Sequence, residues 1–365
     1  MHFAPIHLDF LANFPQNEEA NALLANTFAN PNTFDNAFLA SFKTDSTALA
    51  HFFNATRALA FDYSCGEFLS LFCSLSIHNY HIALAPSLSQ QSFYAGKQFH
   101  ALSPKSLSFL SLNQDAIIEH IQPLQSTSGH IAFFIPLINQ DLLTTNPIQT
   151  LIDEIVSLYP NALIFCDISL FVSSLTQEYL SFLHSLKNPQ VCFICNGESI
   201  GLMRKNAFIL SFAQDLNPAL KAYNDTQLLR PHLFKAALKA LKDILASPQS
   251  ADSKEYFFES LQKQLQDDIA LFAPLAFNAP NTLALRFKHI KARPLIQSLQ
   301  IEGIYAINGQ DCLFGNAKPS FVLESMGYKE AQCRELLSIS YTKLENIESI
   351  TQSIASAYLQ LRQFS

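Results

Sequence analysis

The sequence is poor in glycine and in charged residues. Nine of its 365 residues are glycine, against roughly 7% in ordinary proteins. Glycine permits the close backbone approaches that many ligand-binding loops require, so the chain can build few such loops. Charged residues make up 15% of the chain, below the roughly 25% of typical domains. The net charge is -7 without a basic block, which argues against a nucleic-acid partner.

Signals for secretion and for membrane insertion are also missing. The N-terminus lacks a cationic segment followed by an apolar one, so we expect no signal peptide. The stretch from Phe68 to Gly96 contains no Asp, Glu, Lys or Arg, but polar residues interrupt it throughout. A membrane span needs about 20 predominantly apolar residues. We therefore expect a buried helix and a buried strand here, in a cytoplasmic protein without a membrane partner.

The cysteines show no spacing typical of a disulfide framework or a metal site. Cys192 and Cys195 form a CxxC pair, but they lie in the apolar run VCFIC, which predicts a buried strand. We expect reduced thiols and neither disulfides nor bound metal. The seven cysteines are at positions 65, 73, 166, 192, 195, 312 and 333.

One cysteine has a different setting. Cys312 lies in the stretch GQDCLFGNAKPSFVLESMG, between Gly309 and Gly315 and ahead of an apolar run. A thiol on a glycine-flanked loop can move and react, whereas a structural cysteine is usually buried inside an element. Two interpretations stay open: Cys312 is a reactive loop thiol, or it is one more reduced cysteine.

The same stretch resembles the catalytic-cysteine loop of cysteine desulfurases, pyridoxal-phosphate (PLP) enzymes of the class V aminotransferase superfamily. The family pattern is Gly-Ser-Ala-Cys-Ser-Ser-Gly, followed by Pro-Ser-His-Val-Leu and a Met-Gly or Leu-Gly. The matching residues of this chain are Gly309, Cys312, Gly315, Pro319-Ser320, Val322-Leu323 and Met326-Gly327. The resemblance implies that Cys312 occupies the position of the catalytic thiol.

Two earlier segments resemble the same family, in the correct order. Residues Ile6 to Asn17 resemble its N-terminal arm, Leu-Asp-Asn-Asn-Ala-Thr-Thr-Pro, and residues Asn26 to Asn36 resemble Phe-Gly-Asn-Pro-Ser-Ser-x-His. The resemblance implies an α/β protein with the fold type I PLP-transferase architecture: a large domain with a mainly parallel seven-stranded sheet flanked by helices, and a smaller α+β C-terminal domain. We expect an arm over residues 1–14, a large domain over 15–248, a small domain over 249–365, and a homodimer.

Two residues match positions at which the family contacts its PLP cofactor. Asp167 ends the buried strand ALIFCDIS, where an unpaired carboxylate is costly. The resemblance implies that Asp167 pairs with the pyridine nitrogen of PLP; the alternative is that it caps the loop that follows. Asn139 falls where the family has an asparagine that faces a cofactor oxygen.

Other positions differ from the family. Gly66 stands at the phosphate-binding threonine near a helix N-terminus, which is a common anion site, and Gln90 stands at the histidine that stacks on the cofactor ring. Gly197 stands at the lysine that forms the Schiff base, and Ser338 stands at the arginine that clamps the substrate carboxylate. The nearest lysine, Lys205, would be about 26 Å from Gly197 if the strand continued.

Three hypotheses on function follow. The first is a desulfurase-like protein that no longer performs PLP chemistry and acts as a dimerising or regulatory partner in sulfur or Fe–S metabolism. The second is an active PLP-dependent desulfurase or aminotransferase whose lysine comes from elsewhere in the chain. The third is a carrier whose Cys312 accepts a persulfide from a true desulfurase. The expected partners are a second copy of the chain and a true desulfurase or sulfur-acceptor protein.

Overall fold

The computed structural model describes residues 5–25, 36–124, 130–225, 229–248, 250–309 and 318–363. Within these ranges, no helix combines the length and the apolar character that crossing a bilayer requires.

A seven-stranded sheet forms the larger part of the molecule, in the order β2-β8-β7-β6-β5-β3-β4. β8 is antiparallel to both its neighbours, and the other neighbouring strands are parallel. The central strands are apolar and buried along their length because helices cover both faces. The predicted sheet is confirmed. Its strands are β2 (Arg57–Phe61), β3 (Tyr80–Leu84), β4 (Leu107–Phe109), β5 (His130–Pro136), β6 (Leu163–Asp167), β7 (Val191–Asn196) and β8 (Ala207–Ser211).

Helices alternate with these strands, and two of them help to position the candidate site. The Ser64 side chain accepts a hydrogen bond from the Glu67 backbone N–H at the start of one helix, and Ser89 does the same at the start of another. Each such cap stabilises its helix by about 1 kcal/mol. The helices are α1 (Glu18–Ala25), α2 (Asn36–Phe52), α3 (Cys65–Ile77), α4 (Gln90–Leu102), α5 (Ile148–Leu158), α6 (Ser169–Val172), α7 (Gln177–Ser185), α8 (Pro218–Asn224) and α9 (Leu233–Ala246).

A three-stranded antiparallel sheet, in the order β12-β10-β9, forms the smaller part. The N-terminal strand β1 (Ile6–His7) pairs in parallel with β11, so the start of the chain packs against this part. The elements are β9 (Ile269–Leu271), β10 (Thr282–Phe287), β11 (Ile304–Tyr305), β12 (Leu336–Ser340), α10 (Lys254–Leu265), α11 (Ala292–Ile301), two short helices (Phe321–Ser325 and Glu330–Cys333) and a final helix (Ile347–Arg362).

The sequence predicts one helix from Lys254 to Phe272, and this prediction is wrong. Helix α10 ends at Leu265, Gln266 has a φ of 49°, and the following residues form β9. A positive φ is incompatible with continuing a right-handed helix. The apolar residues after it therefore form a strand, of which Ile269 is buried and the next two residues are partly exposed.

Each sheet has its own hydrophobic cluster, and a third cluster joins the two parts. In this third cluster the rings of Phe93 and Phe321 stack with their centres 4.3 Å apart. The carboxyl ends of the large-sheet strands open close to this junction.

Candidate functional site

Polar side chains from several strand ends meet at the carboxyl edge of the large sheet. Tyr63 follows β2, Gln140 follows β5, Asp167 ends β6 and Asn196 ends β7. In open α/β sheets this edge is where ligands bind. These four side chains define the candidate site, and Asp167 is the one among them that the resemblance names.

The Asp167 carboxylate is the centre of this site, and its hydrogen bonds come from the protein. Its Oδ2 atom accepts from the Tyr63 hydroxyl and from Gln140 Nε2, the latter at 3.1 Å. Its Oδ1 atom accepts from the Ser169 backbone N–H at 2.9 Å. Burial raises the pKa of Asp167, and these hydrogen bonds oppose that shift. The bond from Ser169 supports the loop-capping role that the sequence left open.

Tyr63 closes the space beside Asp167. Its side chain is 4% exposed, and its ring lies edge-to-face with Phe68 at 5.2 Å between centres. Burial, and then the Asp167 charge, raise the pKa of Tyr63 well above its ordinary value, so the hydroxyl keeps its proton and donates it. Tyr63 is not among the site residues that the sequence predicts. The available signal was an aromatic residue directly before the helix cap Ser64.

Gly197 lies where the chain turns back after β7. Its N–H donates to the Asn206 carbonyl at 2.7 Å. A Cβ atom on Gly197 would lie 2.0 Å from the same oxygen, so the position cannot hold a side chain unless the backbone moves. The strand does not continue: β7 pairs with β8, and Asn196 is opposite Ala207. The separation of about 26 Å between Gly197 and Lys205, computed for an extended chain, therefore does not apply, and Lys205 is exposed on the connecting turn.

The N-terminus of α3, where the family binds phosphate, is flanked by carboxylates. Asp62 Oδ2 is 3.5 Å from Arg230 Nη2, and the Glu67 carboxylate accepts a hydrogen bond from the Tyr223 hydroxyl. Acidic groups are stabilised beside a helix N-terminus, and the Arg230 guanidinium offsets the charge of Asp62. Gly66 is exposed, and a Cβ atom added to it would have no atom within 4 Å.

Asn139 holds the local backbone, and Gln90 begins a helix. Asn139 is fully buried; its Nδ2 donates to the Ala116 carbonyl at 3.0 Å, and its Oδ1 accepts from the backbone N–H groups of Asp141 and Leu142. Gln90 is the first residue of α4 and is partly buried. These contacts hold loops around the site, and the contact of either residue with a cofactor stays a prediction.

A cavity of about 80 Å³ remains between Tyr63 and the small sheet. Glu198 is the charged residue among the described residues that line it. Ser338, at the position of the family's clamping arginine, donates from Oγ to the Asp141 carbonyl at 2.6 Å. The described lining thus offers no cation to a substrate carboxylate. The cavity is lined by Leu11, Ala12, Tyr63, Gln91, Gln140, Leu143, Leu170, Asn196, Glu198, Ser199, Ile307, Ser338 and Ser340.

The predicted catalytic thiol, Cys312, lies outside the described residues, as does the segment 26–35. The residues on either side of 310–317 meet at one buried carboxylate. Ser320 Oγ donates to Asp141 Oδ2 at 2.6 Å, and a Cβ atom on Gly309 would lie 3.2 Å from the same oxygen.

The described cysteines are free thiols. Burial raises the pKa of Cys192 to about 12 and raises the pKa of Cys166 further. Buried thiols of this kind are inert. Among the described residues, no group of three or more His, Cys, Asp and Glu side chains could hold a metal ion.

Known proteins resemble this chain in structure and not in sequence. No protein-family model and no curated protein sequence matches it. A solved NifS-like protein superposes with a TM-score of 0.69 at 12% identity, over 99% of this chain and 100% of that one. The cysteine desulfurase CsdA from Escherichia coli gives 0.67 at 11% identity, over 99% and 95%. A serine palmitoyltransferase from Sphingomonas wittichii gives 0.60 at 13% identity, over 99% and 88%.

The chain thus has the fold of the fold type I PLP enzymes. Within that class, NifS-like proteins and a cysteine desulfurase match it along almost their full length. Because the identities are this low, the likeness concerns the fold, and function has to be argued from the site itself.

Proposed function

We propose that this chain is a cysteine desulfurase-like protein without PLP chemistry, and that it acts as a dimerising or regulatory partner in sulfur metabolism. The observation that carries the proposal is the set of hydrogen bonds at Asp167. In the family this carboxylate pairs with the pyridine nitrogen. Here Tyr63 and Gln140 donate to the Oδ2 atom. A ring nitrogen that bonded to Oδ2 would compete with both donors, and displacing the buried Tyr63 hydroxyl would cost about 1–3 kcal/mol.

The space and the residues of the site support the same proposal. A cavity of about 80 Å³ is well below the roughly 300–1,000 Å³ of ligand sites. At the phosphate end, Gly66 carries no hydroxyl that could donate to a phosphate. The residues present do not fit PLP.

The absence of space at Gly197 is the third support. A lysine there would drive its Cβ into the Asn206 carbonyl, so restoring the family residue would require a different path for the turn. Residue 197 is not a lysine, and the Asn206 carbonyl occupies the space that a side chain would need. Both features are expected of a chain that is no longer selected to hold a Schiff base.

The test is to incubate the purified protein with PLP, record the visible absorption spectrum, reduce with borohydride and measure the intact mass. A cysteine desulfurase carried through the same steps is the positive control. We expect no absorption band of a protein-bound Schiff base and no alanine formed from cysteine. Non-specific adducts on surface lysines are identified by comparing Lys205→Arg with Lys235→Arg, because both lysines are exposed.

An adduct that disappears in Lys205→Arg but persists in Lys235→Arg, together with alanine formation, would overturn the proposal in favour of an active enzyme. The dimerising role is tested separately by sedimentation of the full chain, where we expect a dimer. A monomer at all concentrations would remove that part of the proposal.

A further inference from the structure

A large concave surface of the described molecule lies away from Asp167. It is a groove of about 780 Å³ between the small sheet and loops of the large part. Its walls are residues 112–115, which follow β4, residues 271–274 at the end of β9, and residues 326–328 with Gln332. Its volume falls in the range of roughly 300–1,000 Å³ typical of ligand sites.

One wall of this groove is the edge of a sheet. β9 pairs with β10, and it is the last strand in the order β12-β10-β9. Phe272 N–H donates to the Ala284 carbonyl at 2.9 Å, and Lys288 N–H donates to the Asp268 carbonyl at 3.0 Å. In an antiparallel pair the hydrogen-bonded residues alternate. Ile269 and Leu271 therefore direct their N–H and C=O groups away from β10, and Leu271 lines the groove.

Part of the groove lining is apolar, and its described residues carry one carboxylate. Phe272 and Tyr328 lie edge-to-face with ring centres 5.4 Å apart, and Leu112 and Met326 pack in the same cluster. Asp115 is the charged residue among the described residues that line the groove. An occupant with apolar side chains and one cationic side chain matches these features.

We propose that the groove receives an extended segment of a partner protein, which adds to β9 as a further strand. An extended chain can pair with the outward N–H and C=O groups of Leu271, place alternate side chains against Leu112 and Met326 and direct a lysine or arginine towards Asp115. A helix satisfies its own backbone groups and would leave those of β9 without partners. The inference does not depend on whether the chain binds PLP.

The experiment selects random octapeptides displayed on phage against the full chain, with a Leu271→Pro protein for counter-selection. Proline removes the outward N–H of residue 271 and leaves the hydrogen bonds between β9 and β10 in place, because edge strands accept proline on their free side. Leu271→Val keeps the N–H and is the matched control. Thermal unfolding of both variants shows that they remain folded.

We expect enriched peptides with alternating apolar residues and at least one basic residue. Their affinity should fall about tenfold, or 1.4 kcal/mol, for Leu271→Pro and remain within about twofold for Leu271→Val. Methylating the backbone nitrogens of alternate peptide residues should abolish binding in one register and not in the other.

The proposal is overturned if no peptide is enriched, if enriched peptides bind Leu271→Pro as well as the natural chain, or if both methylated registers bind equally. Self-association that Leu271→Pro abolishes would assign the edge to a second copy of this chain and would equally overturn it. None of these results bears on the PLP experiment, so failure of one proposal is distinguishable from failure of the other.

Discussion

The cavity at Asp167 and the groove at β9 differ in the state of their polar groups. Around Asp167, Tyr63 and Gln140 use their donors on the carboxylate, and about 80 Å³ remains. Beside β9, a groove of about 780 Å³ faces a strand edge whose backbone groups point outwards. A binding surface must offer groups that the fold does not already use. At Asp167 the polar groups are bonded within the fold. At β9 the outward backbone groups are available to another molecule.

The apolar framework of the fold and the polar side chains at its sheet edge are stabilised in different ways. The strands and caps that build the sheet edge remain, since burial of apolar side chains stabilises them whether or not a ligand binds. The side chains at the sheet edge bond to one another. A buried carboxylate without a partner is costly, and internal donors such as Tyr63 reduce that cost.

Gly197→Ala tests whether the turn after β7 has room for a side chain at residue 197. Among these predictions it has the largest expected effect on the free energy of unfolding. The new Cβ would lie 2.0 Å from the Asn206 carbonyl oxygen. Overpacking typically costs 1–3 kcal/mol, and because the obstructing atom belongs to the backbone we expect a loss of about 3 kcal/mol in the free energy of unfolding. Chemical denaturation measures it.

Gly66→Ala is the matched control for that change. No atom lies within 4 Å of its added Cβ, and the residue is in helix α3. Replacing glycine by alanine in a helix stabilises by roughly 0.5–1 kcal/mol. Equal stability of Gly197→Ala and Gly66→Ala would mean that the turn at Gly197 is open enough to have held a lysine.

Tyr63→Phe tests whether the hydroxyl holds the Asp167 carboxylate. The variant keeps the ring beside Phe68 but removes a donor to a fully buried acceptor. We expect the free energy of unfolding to fall by about 1–3 kcal/mol. Tyr256→Phe is the control, because the Tyr256 hydroxyl bonds to Glu348 at an exposed position. If both variants lose the same small amount, the Tyr63 hydroxyl does not stabilise the site.

The fold was predictable from the sequence, since it depends on patterns that local residues carry. Apolar runs such as VCFIC predict buried strands, and β7 is one. The cysteine-loop and arm motifs added the order of the elements, and the fold class is confirmed by the solved structures.

The closure of the site was less predictable because it depends on contacts between distant residues. Tyr63 and Asp167 are far apart in the chain, and no motif links a tyrosine before a helix cap to a strand-end carboxylate. The turn that brings Asn206 against Gly197 likewise had no local signal, since an extended continuation fits the same letters. Cys312 lies outside the described residues, so its reactivity stays a prediction.

Asp167→Asn tests whether the buried Asp167 carboxyl makes the stability of the chain depend on pH. Burial raises the pKa of folded Asp167 above its ordinary value of 3.8. Below that value the carboxyl is protonated in both states, and it costs no stability. As the pH rises towards and through the raised pKa of the folded state, the Asp167 carboxyl ionises more readily in the unfolded chain than in the folded one. The natural chain therefore loses stability over this range. Asparagine does not titrate. We expect the melting temperature of Asp167→Asn, relative to that of the natural chain, to increase as the pH rises from 4 to 8. A difference that is independent of pH would show that Asp167 is not held in this environment.

Asp115→Asn tests the groove beside β9. Among these predictions it has the smallest expected effect on stability. The residue is partly exposed in the groove, and changes at such positions usually alter the free energy of unfolding by less than about 0.5 kcal/mol. Its effect should instead be on binding. An ion pair at an exposed site contributes about 0.2–1 kcal/mol, so the affinity for a basic peptide selected on the groove should fall by up to about fivefold, and less at high salt because the charges are screened. Titration calorimetry at two salt concentrations measures both. Unchanged affinity at low salt would remove Asp115 from recognition, and the edge of β9 would then have to select its partner by shape and backbone pairing alone.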